Sequence, residues 1–531
     1  MSSIGAKREG LEIQPVSRSI DSPAYLPQVA KGALINLSGT IIRTVLAYGY
    51  TVMLARMLPL SDLGRYFLIM TVVNIIGLVC TVGMDFGVVR YVSLYAGEGN
   101  IRLVRKTLAT ALSFGVLIGI AVAVFVVAFA PVVVDRLHES SDTYIAALRI
   151  FAISIPFWVA ARLFNSTTQG LHRMRYQVYS RDLGEQLSKL TLTIAALMLG
   201  AGLLGVIWAN VASVVVAMLL SMFFTLKIMS WHGKNREPKA KGSARDLLRY
   251  SFPLAFSNML GMVMVWSDML IMGYLGTTTE VGFYGAALRV GVISSALFLA
   301  FTTVFTPVIS DLHNKRFTGQ LNSLYKTVTR WIFICTFPLV LLQLLFADPI
   351  MAMFGNQFAA GSGALMILAL SQLVNSASGP AGYMVLMSGR SRMELLNISV
   401  ALAVSVLACF LLIPSHGVIG AAMANLAATV VINSMRATEV WIFMHTHAYD
   451  RGYLKPLLAG TTSAALVIFP GKYLIGNTGL IRVAILASGM LVVYTAMTVL
   501  LGLSPQDKTV LGLVKKRLVK AEEVQIDSLA G

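Results

Sequence analysis

The stretch GLLGVIWAN, Gly202–Asn210, decides the fold because it returns as GVIGAAMAN at Gly417–Asn425. Working outward, AALRIFAI at Ala146–Ile153 is matched by GALMILAL at Gly363–Leu370. Farther forward, Asp62-Leu63-Gly64-Arg65-Tyr66 is matched by Glu280-Val281-Gly282-Phe283-Tyr284. The offset stays between about 215 and 220 residues, so the chain reads as two copies of one unit whose loops absorb the small differences. In a duplicated membrane fold, a binding site is expected at the seam between the copies.

Both copies are apolar enough to lie in a bilayer. Hydrophobic residues make up 56% of the 531 and charged residues only 12%, with a mean hydropathy of +0.75, values foreign to a water-soluble domain. The net charge of +18 does not indicate nucleic acid: the Lys and Arg sit in short loops between apolar runs, with no recognition helix or stacking platform. Cys80, Cys335 and Cys409 lie inside apolar segments and suggest neither a disulfide framework nor a metal site. No cofactor, metal or catalytic group is expected. Residues 1–30 lack the apolar core of a signal peptide, so the first helix is expected to be retained.

About twenty apolar residues span a bilayer, and that ruler predicts an all-α integral membrane protein of about fourteen transmembrane helices. The expected organisation is a cytosolic tail over 1–30, a first six-helix lobe over 31–230, a basic cytosolic linker over 231–246 and a second six-helix lobe over 247–447. Two extra helices over 448–504 and a cytosolic tail over 505–531 follow. Basic residues fall after every second helix, for example Arg102, Arg105 and Lys106, then Arg173, Arg175 and Arg181. Roughly thirty Lys and Arg lie on this face against about five on the other, which places it and both termini in the cytosol. Six helices per copy is an even number, so the repeat is expected to be parallel, about an axis along the membrane normal.

Several ionisable residues fall within the expected spans: Arg43, Arg149, Arg162, Glu185, Lys189, Asp268, Arg289 and Arg436. Facing lipid at the centre, each would cost about 2.5–3.5 kcal/mol, so they should face protein or an aqueous cavity. Helical phase agrees: Asn36, Thr40, Arg43, Ala47 and Tyr50 form one stripe, and Arg162, Asn165 and Gln169 another. Arg43, Arg162, Arg289, Arg149, Asn36 and Asn165 are the candidate substrate-cavity residues. Arg149 and Arg436 could instead snorkel to an interface. Asp268, Glu185 and Lys189 are candidates for coupling or charge pairing. Glu185 and Lys189 are spaced as an intrahelical ion pair, and Asp268 could neutralise an arginine or carry a proton. Deep cations outnumber deep anions, so an anionic ligand is expected, phosphate or carboxylate suiting the planar guanidinium fork.

The chain resembles the polysaccharide transporter family, the Wzx-type flippases, within the superfamily that also holds the MATE drug exporters and the lipid II flippases. The resemblance rests on Leu54-Ala55-Arg56-Met57-Leu58, Leu63-Gly64-Arg65-Tyr66, Gly83-Met84-Asp85-Phe86-Gly87 and Arg90-Tyr91. In the second half it rests on Asp268-Met269-Leu270-Ile271-Met272-Gly273, Val281-Gly282-Phe283-Tyr284, Ala287-Leu288-Arg289 and Met353-Phe354-Gly355. It implies two lobes that rock about a cation-lined cavity to give alternating access. It also implies a lipid-linked oligosaccharide substrate on an undecaprenyl-diphosphate carrier, moved across a bacterial cytoplasmic membrane, with a polymerase and a chain-length protein as partners beside membrane lipids. Flipping of lipid II is the nearest alternative. A cationic-drug exporter would need an anionic cavity, and a membrane glycosyltransferase or polymerase would need a larger outer loop or a carboxylate set. The charges break the repeat: Arg149 aligns with Met366, Arg162 falls opposite Gly379 to Ala381, and Asp268 lines up with Tyr50 or Thr51.

Overall fold

The computed structural model describes residues 25–136, 142–231, 244–449, 451–474 and 480–501, and these are built from helices, with no strand among them. The expected tails and most of the basic linker lie outside the described residues. The helices are α1 (Tyr25–Met57), α2 (Leu60–Thr81), α3 (Met84–Gly97), α4 (Ile101–Arg136), α5 (Asp142–Ala152), α6 (Ser154–Gly170) and a short α7 (Arg175–Gln177). A π-helix over Val178–Glu185 leads into α8 (Gln186–Met198) and α9 (Gly202–Trp231). Then come α10 (Ala244–Leu275), α11 (Thr278–Asn314), α12 (Thr318–Leu345), α13 (Ala347–Ala352), α14 (Ser362–Ser378), α15 (Ala381–Met387), α16 (Ser391–Met444), α17 (Leu454–Leu474) and α18 (Leu480–Leu500).

Nine helical stretches among the described residues are long and apolar enough to cross a membrane, fewer than the sequence suggests. Charge and breaks within the helices explain part of the difference. The 13 residues of α8 fall short of a span, and the π-helix that extends them carries Arg181, Asp182 and Glu185. The 54 residues of α16 are broken at Gly417, with φ 52° and ψ −126°. A Cβ on Gly420 would collide with the Leu412 carbonyl oxygen, so the chain doubles back there. Glu280 braces this turn: a Cβ on Gly417 would meet its Oε1 at 2.6 Å. Its other oxygen accepts from the Thr277 N–H at 2.8 Å, while the Thr277 hydroxyl accepts from the Glu280 N–H at 3.2 Å, a reciprocal cap that starts α11.

Helices α4, α5, α6, α8 and α9 pack among themselves, as do α12, α14, α15 and α16. The two groups meet where α2 lies on α10 and α11, α1 on α11, and α3 on α10. Small residues permit this seam. A Cβ on Gly64 would collide with the Thr278 carbonyl oxygen, and one on Gly285 would run into the Phe67 ring. Backbones approach this closely only where side chains are absent.

Lipid cannot satisfy a backbone carbonyl, so a proline inside a spanning helix needs a foreign donor for the carbonyl four residues back. Two such donors are present. Pro131 in α4 has no N–H for Val127, and the Val127 oxygen accepts from Arg149 Nε of α5 at 3.2 Å. Pro338 in α12 leaves Ile334, whose oxygen accepts from the Tyr494 hydroxyl of α18 at 2.9 Å. That bond, with packing of Phe333, Phe337, Tyr453 and Tyr494, ties α17 and α18 to the body. Replacing Tyr494 by Phe should lower stability by about 0.5–1.5 kcal/mol. Adding Pro338→Ala should recover most of the loss, because alanine at that position supplies the missing N–H. Thermal unfolding of the four proteins in detergent reads this cycle; additive losses would show that the tyrosine does not act through the freed carbonyl.

Candidate functional site

The site is built from the end of α2 onward. Val82 (φ 47°) and Gly83 (φ 66°) turn the chain between α2 and α3, which puts Asp85 in the first turn of α3, where the helix dipole favours a negative charge. Opposite lies the polar stripe of α6. Arg162 Nε donates to Asp85 Oδ2 at 2.9 Å and a terminal guanidinium nitrogen stands 2.8 Å from the same oxygen. The guanidinium also lies 5.3 Å from the Trp158 ring centre, so a carboxylate and an aromatic face fix it together. Asp85 Oδ1 is buried with no partner among the described residues.

The π-helix supplies the second wall. Its wider turn shifts the register of the side chains, as such segments do at many functional sites. Asp182 has no exposed side-chain surface; it accepts from Arg181 Nε at 3.0 Å and lies 3.5 Å from Arg43 Nε of α1. Gly39 lets α1 come this close: a Cβ there would meet Asp182 Oδ2 at 2.9 Å. Ser180 donates to Asn165 Oδ1 at 2.8 Å, joining the π-helix to the α6 stripe. Between these walls is a cavity of about 490 Å³, lined by Asp85, Arg90, Arg162, Asn165, Gln169, Arg181 and Glu185 with Phe86 and Trp158. Its size suits a small ligand or a headgroup. Three guanidinium groups line it against two carboxylates, so its walls favour an anion.

Deeper in, a polar knot joins four helices. Asn210 of α9 donates to the Tyr50 hydroxyl at 3.1 Å and accepts from Tyr66 at 3.4 Å; Thr193 of α8 lies 3.2 Å from the Tyr50 oxygen. Lys189 Nζ stands 4.5 Å from the centre of the Tyr50 ring. A second knot holds Asp268 of α10. Its Oδ2 accepts from the Tyr284 hydroxyl at 2.6 Å and from Asn425 Nδ2 at 3.0 Å, its Oδ1 from the Met269 N–H at 2.7 Å, and Ser371 donates to Asn425 Oδ1 at 3.0 Å.

The expected residues are thus distributed unequally. Arg162, Asn165 and Glu185 line one cavity, with Arg43 joined to it through Asp182. Arg289 lies apart, 6.0 Å from the ring centres of Phe67 and Trp266. Asp268 is satisfied by neutral donors and pairs with no arginine among the described residues. Lys189 rests on Tyr50, and its nitrogen is not within 4.0 Å of a Glu185 oxygen, although each group lies in the other's field. Arg149 is exposed and serves the Val127 carbonyl. Arg436 is paired with Glu394 of α16's first arm. Nothing is described of the Asn36 side chain. Asp85 and Asp182, which hold the arginines, escape a reading of spans because Asp85 sits at the start of α3 beside loop residues and Asp182 sits within the charged π-helix.

Asp85→Asn would leave Arg162 half-buried without its anion, with an expected loss of about 2 kcal/mol. Adding Arg162→Gln should make the protein more stable than Asp85→Asn alone. Melting temperatures in detergent test this order, and a double variant weaker than both singles would contradict the pairing.

Comparison with known proteins agrees with this architecture. Residues 29–313 match the family described as polysaccharide biosynthesis protein. A protein of Shigella flexneri named "Putative O-antigen transporter" is 24% identical over 412 residues, 74% of this chain and 93% of that one. An uncharacterized membrane protein of Methanocaldococcus jannaschii is 20% identical over 464 residues, 84% of this chain and 90% of its own. Among solved structures, the lipid II flippase MurJ in an inward closed conformation superposes with a TM-score of 0.68 at 14% identity, covering 88% of this chain and 98% of that one. An inward-facing MATE-family multidrug resistance transporter of the MOP superfamily gives 0.65 at 14% identity, covering 78% and 98%. These likenesses establish the MATE-like helical fold, and the chain belongs to the polysaccharide biosynthesis protein family, as a multi-pass membrane transporter and not an enzyme.

Proposed function

We propose that the protein flips an undecaprenyl-diphosphate-linked oligosaccharide from the inner to the outer leaflet of the cytoplasmic membrane. The observation that carries this reading is the cavity beside Arg162, whose cations exceed its carboxylates and whose guanidinium groups are held in place by Asp85 and Asp182. In this reading the diphosphate and any acidic sugar sit beside Arg162 and Arg43, Arg289 reaches them from the second half as the lobes rock, and the prenyl tail stays in lipid. The relative named as an O-antigen transporter supports this substrate class.

The machine in this reading is two parallel six-helix lobes with two further helices, fourteen spans in all, rocking about the cavity with both termini in the cytosol. The repeated backbone turn supports the duplication: Gly202 has φ 54° and Gly417 φ 52°. The two knots support it as well, since Tyr50, Tyr66 and Asn210 stand where Asp268, Tyr284 and Asn425 stand in the second half. The membrane potential favours outward movement of an anionic headgroup by about 2.3 kcal/mol per charge per 100 mV when the inside is negative.

Alanine at Arg43, Arg162 or Arg289 should abolish polymer export while the protein remains in the membrane, as read by surface polysaccharide staining beside a membrane immunoblot. Unimpaired export by all three variants would overturn the cavity assignment. Viable cells without surface polysaccharide on deletion fit this substrate, whereas lysis on depletion would indicate lipid II.

A further inference from the structure

Two stretches far apart in the chain meet at the seam between the halves: Leu54–Leu58, which closes α1, and Met353–Gly355, which follows α13. Helix α13 gives way at Met353, and the last carbonyls of a helix have no partner within it. Gly355, at φ 137°, then turns the chain in a conformation that a side chain would strain. The Met353 oxygen accepts from Arg56 Nε at 2.8 Å. Two turns back on the same face of α1, the Tyr48 hydroxyl donates to Met353 Sδ at 3.5 Å and its ring meets Phe354 edge-on at 5.6 Å. The other face of α1 belongs to the first half, where Arg43 lies beside Asp182 and the Tyr50 oxygen accepts from Asn210. Helix α1 is therefore a strap with one face on each half.

The Arg56 bond differs from the pairs of the interior. Arg56 is exposed, so water can take the place of the Met353 oxygen when the halves part, whereas Asp85 and Asp182 cannot release their arginines without stranding a buried charge. The acceptor is fixed to the body of the second half: Phe354 is wholly buried and packs on Phe358, which meets Phe283 of α11 edge-on. The contact also lies at the end of the molecule where Gly64 of α2 meets Thr278 at the start of α11. We propose that Arg56 and the Met353 carbonyl form a releasable latch that holds the two halves together at this end, the outer one in the orientation given above, with Tyr48 guiding α1 back onto its seat. Breaking the latch frees α1 from α13 and lets the halves open there, and re-forming it closes them. That the opening passes a lipid-linked glycan rests on the flippase reading; the latch itself does not.

The test is the distance between spin labels on the two halves, measured by pulsed electron paramagnetic resonance on the purified full-length protein in lipid nanodiscs. Labels on Val132→Cys of α4 and Leu411→Cys of α16, both exposed and towards that end, report the separation, with Cys80, Cys335 and Cys409 replaced by alanine. Arg56→Ala should raise the ratio of the long-distance to the short-distance population by about fivefold, the upper end for an exposed charged contact. Arg56→Lys, whose ammonium can donate to the same carbonyl, should stay close to the parent. Tyr48→Phe should shift the ratio less and in the same direction, and it replaces Arg56→Ala as the deciding variant should that protein fold poorly, judged by its melting temperature. A lowered melting temperature with an unchanged distribution is the mark of a merely structural contact. That result, or a shift in Arg56→Lys equal to that in Arg56→Ala, overturns the latch. An Arg56-dependent shift in a protein that translocates no prenyl-diphosphate-linked oligosaccharide tells against the flippase reading and leaves the latch standing.

Discussion

A guanidinium group in hydrocarbon must have a partner, and the interior of the first half is arranged around that requirement. Asp85 and Asp182 are the partners. Asp85 takes Arg162, and Asp182, wholly buried, takes Arg181 and lies beside Arg43. Each carboxylate sits where a helix begins or changes pitch, so the turn at Val82–Gly83 and the π-helix over Val178–Glu185 exist in service of these pairs. The cavity of about 490 Å³ beside these pairs is lined by three guanidinium groups, those of Arg90, Arg162 and Arg181, against the carboxylates of Asp85 and Glu185.

The same rule of satisfaction governs the backbone. Prolines at 131 and 338 free carbonyls that Arg149 and Tyr494 take up from other helices, so helix breaks become tertiary bonds. Glycines at the seam do the complementary work by letting α2 lie against α10 and α11 without intervening side chains. Close backbone contact along one seam thus lies beside charged cavity walls.

Much of this is legible in the sequence. The repeat at Gly202 and Gly417, the apolar composition and the basic loops lead to a helical membrane protein, and the phase of Arg162, Asn165 and Gln169 places those residues on one wall. What the sequence hides follows from local geometry. The i,i+4 spacing of Glu185 and Lys189 reads as an ion pair, whereas the first lines the cavity and the second rests on the Tyr50 ring. Arg149 reads either as a cavity residue or as one that snorkels to an interface, whereas it is exposed and serves a carbonyl that Pro131 releases on the neighbouring helix. Asp268 lines up with Tyr50 or Thr51 in the sequence, and only the hydrogen bonds show that Tyr50 and Asp268 each anchor a polar knot, one on a phenol and the other on a carboxylate.

If the charged interior serves transport, it must select a lipid by its anionic headgroup. The direct measurement is translocation in proteoliposomes of a fluorescent oligosaccharide linked to a prenyl diphosphate, against the same oligosaccharide on an uncharged prenyl ether, read by access of an added glycosidase. Translocation of the diphosphate-linked lipid alone is the predicted result. Equal translocation of both lipids, or of neither, would contradict it.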